Sequence, residues 1–368
     1  MSLSNFLRAC SLSPSQYAFV TVRRARAVMA RSVLIACAIW LPTVSHAATE
    51  LPTAIPPGTK LVVADQNENL QTLMAASGQQ ARLSSSVSYA NFLGGPAILE
   101  AFRAGALDLA VVGSAPPIQA QAAGENVRIV GARITSRPEY MFAIRPKLSV
   151  TSLQDFKGKR IAYGEGTGRQ PFVLAALKQA GLTRKDVTLV PLKAADFPDA
   201  VRSGQVDIAA LNEPHFTRYL TRYAEDGASG LPDAAHKTLP TSISYLYASA
   251  AALANPAKSA AIREFVQHWI GANEWSSHNP QEWVKAYYVD KQRLSQADGL
   301  GIVNAEGEKT YPLLKDLIAP QQKLVDLIHA AGDLPRHLDA AEEFDLRFDP
   351  AISEAVQQLG AERNKAPS

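Results

Sequence analysis

Residues 101–117 read AFRAGALDLAVVGSAPP, and residues 200–216 read AVRSGQVDIAALNEPHF. Each copy has Ala, then Arg-x-Gly, then Asp three residues on, an apolar run, a polar pair and Pro. Gly105 and Gly204 suit the left-handed turn that ends a helix. The runs 107–112 and 206–211 are short, apolar and bounded by turn signals, as buried parallel strands are. Beyond them the chain is small or polar: Gly113, Ser114 and Ala115 in one copy, Asn212 and Glu213 in the other. Open α/β sheets bind ligands beyond the carboxyl ends of their strands. Two such units predict two facing α/β lobes with a ligand between them.

Outward from the two copies, the same order of elements recurs. Before the first come a strand at 60–64, a polar turn holding Gln66, a helix at 70–76 stopped by Gly78, a strand at 87–92, and a helix at 97–104 opened by Gly94-Gly95-Pro96. Before the second come a strand at 160–163, a Gly-rich turn at 164–170 and a helix at 173–180 stopped by Gly181. The spacing from Lys60 to Gly105 is within one residue of that from Arg160 to Gly204, which supports a duplication with Lys60 opposite Arg160. Between the halves, a helix at 118–123 and a strand at 127–132 lead to a crossing at Arg137-Pro138, a strand at 140–144 and a short helix at 150–156. Residues 224–240 form a loop-rich return, and a strand at 243–248 goes back to the first lobe. Helices at 257–271, 273–277, 280–287 and 312–331 pack around that lobe, with fraying after Gly360. The expected organisation is residues 48–137 with 241–368 as lobe one and 138–240 as lobe two, behind a leader at 1–47.

The 368 residues suffice for two domains with proper cores. A formal charge of +3 is misleading. Arg8, Arg23, Arg24, Arg26 and Arg31 precede residue 48, where no Asp or Glu lies. Without those five, 32 basic residues face 34 acidic ones, a net of −2. No basic run interleaved with aromatics occurs, which argues against nucleic acid. Arg31, the apolar run 33–41 and Ser45-His46-Ala47 have the layout of a secretory signal peptide cut after Ala47. Translation from Met29 would give a leader of ordinary length. Arg23-Arg24 is similar to a twin-arginine signal, but the residues after it fit poorly. The run around Cys37 continues past the cysteine, unlike a lipoprotein box. Cys10 and Cys37 both lie in this leader, so the exported chain is expected to be cysteine-free.

Several turns could hold a ligand. Gly164-Glu165-Gly166-Thr167-Gly168-Arg169-Gln170 follows a strand and opens a helix, where backbone N–H groups and the helix dipole favour anions. It lacks the Gly-Lys-Ser/Thr of a nucleotide loop. Ser114-Ala115, after the first repeat strand, is a second anion cradle. The plainer reading of both is an ordinary strand-to-helix turn. Gln66 could donate to a ligand or cap a helix. Glu213 and His215 place a carboxylate and an imidazole at a strand end, with no Ser or Cys to form a triad. No HExxH motif or cysteine pair points to a metal, and no cofactor is expected. Trp269, Trp275 and Trp283 read as helix packing.

The chain resembles periplasmic substrate-binding proteins of ABC importers, in the group that binds aliphatic sulfonates, taurine and nitrate. The similar stretches are NFLGGP at 91–96, LEAFRAGALDLAVVGSAPPIQAQAAG at 99–124, LQDFKGK at 153–159, ALKQAG at 176–181 and 199–214, with a weaker likeness at 336–349. The resemblance implies a type II periplasmic binding fold, each lobe a mixed sheet flanked by helices, and docking on a membrane permease driven by an ATPase. It implies an anion held by N–H groups and hydroxyls at Ser114-Ala115 and Thr167-Gly168, with Gly95 and Gln66 alongside. Two departures stand out: Asn212-Glu213-Pro214 where sulfonate binders carry Trp-Asp-Pro, and Arg169 where small or polar residues are usual. They imply a different organic tail or a second anionic group on the ligand.

The expected function is a monomeric periplasmic solute-binding protein, not an enzyme, that delivers an aliphatic sulfonate to an ABC importer by lobe closure. Alternatives are nitrate or bicarbonate, a thiamine-precursor pyrimidine or an aromatic sulfonate on the same fold. A desulfinase of similar fold needs a cysteine nucleophile, which the exported chain lacks.

Overall fold

The structure, a computed structural model, describes residues 50–236, 239 and 243–363. The leader expected at 1–47 lies outside them. Among the described residues eleven strands follow in order: β1 (Lys60–Asp65), β2 (Ser86–Asn91), β3 (Leu109–Val112), β4 (Val127–Thr135), β5 (Tyr140–Ile144), β6 (Arg160–Tyr163), β7 (Thr188–Pro191), β8 (Ile208–Asn212), β9 (Ser229–Gly230), β10 (Ile243–Ser249) and β11 (Lys309–Thr310). They form two sheets, β11-β4-β10-β3-β1-β2 and β7-β6-β8-β5-β9.

The sheets share a plan. β1 is parallel to β2 and β3, with β10 antiparallel to β3. β6 is parallel to β7 and β8, with β5 antiparallel to β8. In each sheet the antiparallel strand has just crossed from the other lobe, β5 after β4 and β10 after β9. Helices on the sheet faces include α1 (Asn69–Ala76), α2 (Gly95–Arg103), α3 (Ala115–Ala122), α4 (Arg169–Gln179), α5 (Phe197–Ser203) and α6 (His215–Arg222). The result is a two-lobed α/β architecture with one mixed sheet per lobe.

The repeated Arg-x-Gly-x-x-Asp has a physical reason. Gly105 and Gly204 sit at φ +67° and +79°, which turns the chain out of α2 and α5 at little steric cost. Asp108 and Asp207 then bracket the preceding strand. The carboxylate of Asp108 accepts from the Val62 N–H at 2.9 Å, and that of Asp207 from the Arg160 N–H at 3.0 Å. Their own N–H groups donate back, to Val62 O at 2.9 Å and Arg160 O at 2.8 Å. Cations close each bracket, Lys258 on Asp108 at 2.7 Å and Arg160 on Asp207 at 2.9 Å. The shared bracket sets Val62 opposite Arg160. The expected pairing of Lys60 with Arg160 is therefore two residues out of register.

The C-terminal third divides its packing. One long helix, Pro256–His278, replaces the two expected, and it lies against the helix Asp349–Arg363 on the first-lobe core with Phe265, Trp269 and Ile352. The helix Ile318–Ala330 instead buries Val325 and Ile328 in the second-lobe core beside α4, followed by Leu334 and Leu338. The expectation that every C-terminal helix surrounds the first lobe is corrected here. Asp349–Arg363 also continues past Gly360, where fraying was expected. Among the described residues no helix is long and apolar enough to cross a membrane.

Candidate functional site

A cavity of about 810 Å³ opens between the strand ends of the two sheets. Gln66, Gly113 and Arg133 line it from the first lobe, and Glu139, Tyr140, Asn212 and Glu213 from the second. Tyr287, Tyr288, Asp298 and Glu306, from the C-terminal segment, complete the wall.

Two helix N-termini beside this cavity are filled by the chain's own carboxylates. Asp65, 2% exposed at the end of β1, accepts from the N–H groups of Gln66 (2.7 Å), Leu70 and Gln71 (both 2.9 Å). Burial raises its carboxyl, and those three donors oppose the rise. Gln66 is thus not the cap. Its Nε2 donates to Val111 O at 3.2 Å, tying β1 to β3 at the cavity rim. Glu213 does for α6 what Asp65 does for α1, accepting from the Thr217 N–H and hydroxyl at 3.0 Å each. Burial pushes the Glu213 carboxyl up; Thr217 opposes this, while Glu306 and Asp298 add to it.

The two expected anion cradles face each other rather than the cavity. Ser114, Ala115, Thr167 and Gly168 are all buried where the lobes touch, and none of them is on the cavity wall. A Cβ on Gly113 would lie 3.6 Å from Gly168 Cα; one on Gly95 would lie 2.7 Å from Pro116 Cγ and 3.4 Å from Gly166 O. Glycine permits this backbone approach. The donors are also few. Pro116 and Pro117 contribute no N–H in the first turn of α3. At α4, the Thr167 N–H goes to Gly164 O at 3.3 Å, the Gln170 N–H to Thr167 O at 3.1 Å and the Arg169 N–H to Thr167 Oγ1 at 3.3 Å.

Arg169 turns into its own lobe. Its guanidinium lies 4.9 Å from the Tyr140 ring centroid and 5.6 Å from that of Phe197, and donates to Ala210 O at 3.1 Å and Asn212 Oδ1 at 2.6 Å. With Arg133 it opposes the burial that raises the Glu139 carboxyl. His215 opens α6. Burial first, then Arg218 and Arg169, push its imidazole down to about 4, so it is neutral at pH 7. Of the candidate ligand-binding residues, Gln66 and Glu213 line the cavity, as do the strand-end residues Gly113 and Asn212. Gly95, Ser114, Ala115, Thr167 and Gly168 form the lobe contact, and Arg169 and His215 belong to the second lobe's frame.

The residues not foreseen come from the crossing between the lobes, Arg133, Glu139 and Tyr140, and from the C-terminal segment. Val284–Val289 is a π-helical turn, a geometry frequent at functional sites, and it brings adjacent tyrosines 287 and 288 to the cavity. Trp283 backs them, stacked on Tyr287 at 5.0 Å and 2°. The helix Gln296–Glu306 packs on this turn through Gly299, where a Cβ would lie 2.5 Å from Val284 Cγ1 and 3.0 Å from Tyr288 Cβ. Alanine in a helix gains about 0.5–1 kcal/mol over glycine, whereas overpacking costs about 1–3 kcal/mol. Gly299→Ala should therefore lower the melting temperature and displace Asp298 and Glu306. An unchanged or raised melting temperature would show that the helix yields freely. Among the described residues no group of three His, Cys, Asp or Glu is placed to hold a metal ion.

The family model described as NMT1/THI5 like matches residues 94–282, just over half of the 368 residues. A protein of Escherichia coli (strain K12) named for binding aliphatic sulfonates is 33% identical over 147 residues, 39% of this chain and 46% of the relative. A Bacillus subtilis (strain 168) protein of the same name is 30% identical over 131 residues, 36% of this chain and 40% of the relative. The match spans less than half the length of these curated relatives. The alkanesulfonate-binding protein SsuA from Xanthomonas axonopodis pv. citri, solved bound to MOPS, superposes with TM-score 0.69 at 24% identity, covering 79% of this chain and 99% of that one. The architecture is thus the two-lobed periplasmic-binding fold, and the chain belongs to the NMT1/THI5-like family.

Proposed function

We propose that the chain is a periplasmic solute-binding protein that carries an organic sulfonate to an ABC importer. Residues 48–137 and 241–368 serve as one lobe, save that Ile318–Ala330, Leu334 and Leu338 pack into the other, 138–240; the leader at 1–47 directs export. The observation that carries this reading is the cavity of about 810 Å³, walled by strand ends of both sheets. A ligand that touches both walls stabilises the closed arrangement over an open one by its differential contacts. Such a volume suits an organic molecule and is far larger than nitrate or bicarbonate needs. The names of the relatives favour a sulfonate. The protein acts as a monomer, docking on a permease with its cytoplasmic ATPase.

The chain is read as a binder and not an enzyme. The cavity is lined by carboxylates, tyrosines and amides together with Arg133 and Arg137, and residues 48–368 contain no cysteine for a sulfinate-attacking nucleophile. Alkanesulfonates of increasing length should raise the melting temperature, by about 2.7 kcal/mol of stabilisation at a hundredfold excess over Kd, and contract the particle in small-angle scattering. No shift with any sulfonate would reject this ligand class. A shift with an aromatic sulfonate or an aminopyrimidine alone would reassign it.

A further inference from the structure

Arg133 lines the cavity from β4, just before the chain leaves the first lobe. Its guanidinium is fixed from two sides. Nη1 donates to Asn273 Oδ1 at 2.6 Å and Nη2 to Ser244 Oγ at 3.3 Å. Asn273 is fully buried, and its own Nδ2 donates to Trp269 O at 2.8 Å, which keeps its oxygen toward the guanidinium. Ser244 is the residue opposite Arg133 on β10. Both acceptors are neutral, and Arg133 Nε is buried with no partner. A buried donor left open is rare enough to need a reason. The carboxylates of the cavity wall do not supply its partner. Asp65 holds the first turn of α1, Glu213 receives Thr217, and Glu306 is paired with Lys309 Nζ at 3.2 Å. Asp298 accepts from the Ser295 hydroxyl at 2.7 Å, and Asp233 is exposed. Glu139 is drawn to Arg169 ahead of Arg133. Among the described residues no carboxylate forms an ion pair with Arg133, or with Arg137, an exposed guanidinium on the same wall.

A guanidinium fixed by neutral acceptors, with an open N–H and no carboxylate, is set for an anion. Its N–H groups form a planar fork that two oxygens of one acid can meet together. The turns expected to hold the acid are meanwhile closed on one another and lie off the cavity wall. We propose that Arg133 anchors the acid group of the ligand, on the strand that joins the lobes rather than at the turns where the lobes touch. Arg137 adds attraction from the same wall. The anchor stands on a braced segment: the Ser136 N–H donates to Glu308 O at 3.0 Å, and the Glu308 N–H donates back to Ser136 Oγ at 3.1 Å. The remaining wall, with Tyr287, Tyr288 and Ile302, is left to the organic tail. This rests on the solute-binding reading above and names the residue that reads the ligand's charge.

The experiment compares octanesulfonate, octanoate and the uncharged methyl octyl sulfone by calorimetry on the mature chain and its Arg133→Gln, Arg133→Lys and Ser114→Ala variants. The parent should prefer octanesulfonate to the sulfone by about thirtyfold or more, the order of a desolvated charge pair. Arg133→Gln should lose most of that preference while still taking the sulfone. Arg133→Lys keeps the charge without the fork and should keep only part of it. A merely structural role for Arg133 would weaken acid and sulfone alike; an unchanged ratio in Arg133→Gln would therefore overturn the anchor. Should that variant fail to fold, Arg133→Lys decides, and a ratio equal to the parent's would overturn it. A larger loss of preference in Ser114→Ala than in Arg133→Gln would return the acid to the turn that opens α3 and overturn the anchor too. Sulfone binding to the parent as tightly as octanesulfonate would overturn the anchor and leave the solute-binding reading standing. Octanoate binding through Arg133 while octanesulfonate does not bind would uphold the anchor and overturn the sulfonate. Binding of none of the three would overturn both.

Discussion

Asp333→Ala is expected to cost about 3 kcal/mol of stability and to weaken ligand binding with it. Asp333 follows the helix Ile318–Ala330 and fastens the chain there to the second lobe. Its carboxylate, 9% exposed, accepts from the Tyr163 hydroxyl, from Arg184 and from Gln170 Nε2 at 2.9 Å. Tyr163 and Gln170 are each 1% exposed. Removing the acceptor strands two buried donors, at about 1–3 kcal/mol each. Arg184 counts for less, because its side chain is 36% exposed and can turn to water. The effect reaches the cleft because Gln170 Oε1 also receives the Gly166 N–H at 3.0 Å and so holds the Gly-rich turn against Gly95. Asp333→Asn keeps an oxygen for Gln170 and should recover more than half of the loss. Denaturant midpoints of the two variants decide the matter; an alanine variant within about 0.5 kcal/mol of the parent, the size of an ordinary surface change, would show that these bonds carry no net stability.

The fold was legible where its signals are local. Gly105 and Gly204 need a left-handed φ, and Asp108 and Asp207 recur at a fixed step from them, so the duplication could be read from a few residues. The strand register was not legible, because it is fixed by bonds spanning 46 and 47 residues between interchangeable apolar positions. β7 escaped notice because its half-buried TLVP alternates weakly and ends in Pro. At the site, the missing donors of Pro116 and Pro117 were visible in the letters, yet the closure of the two cradles on each other was not. The partnership of Arg169 with Asn212 spans 43 residues. The helix Gln296–Glu306, which carries Asp298 and Glu306, was not among the expected helices, and its place is set by Gly299 docking on the tyrosine turn. Charges gathered from distant segments leave no periodicity behind.

A buried carboxyl away from the cavity wall gives the second large effect. Glu343 is 3% exposed; its Oε2 accepts from Gln321 Nε2 at 2.7 Å, and its Oε1 has no partner. Burial pushes its carboxyl up to about 8, with Gln321 opposing. An unfolded glutamate ionises near its ordinary value of 4.5, so the folded chain binds the extra proton between the two values. The contribution of the protonated group is full below the unfolded value and is lost as pH rises through the folded one, at about 1.4 kcal/mol per pH unit while both conditions hold. Glu343→Gln cannot ionise and still offers Gln321 an oxygen. The parent's melting temperature should fall from pH 5 to pH 8 by on the order of 5 °C more than the variant's. The same Gln321 amide donates to Ser114 O at 3.0 Å, and Gln321 Oε1 accepts from the Tyr245 hydroxyl at 3.2 Å. The proton on Glu343 therefore bears on the turn that opens α3 at the lobe contact, and ligand affinity should follow stability across the same pH range. Parallel melting curves for parent and variant from pH 5 to 8 would mean that Glu343 finds solvation in the folded chain and that its proton is not linked to folding.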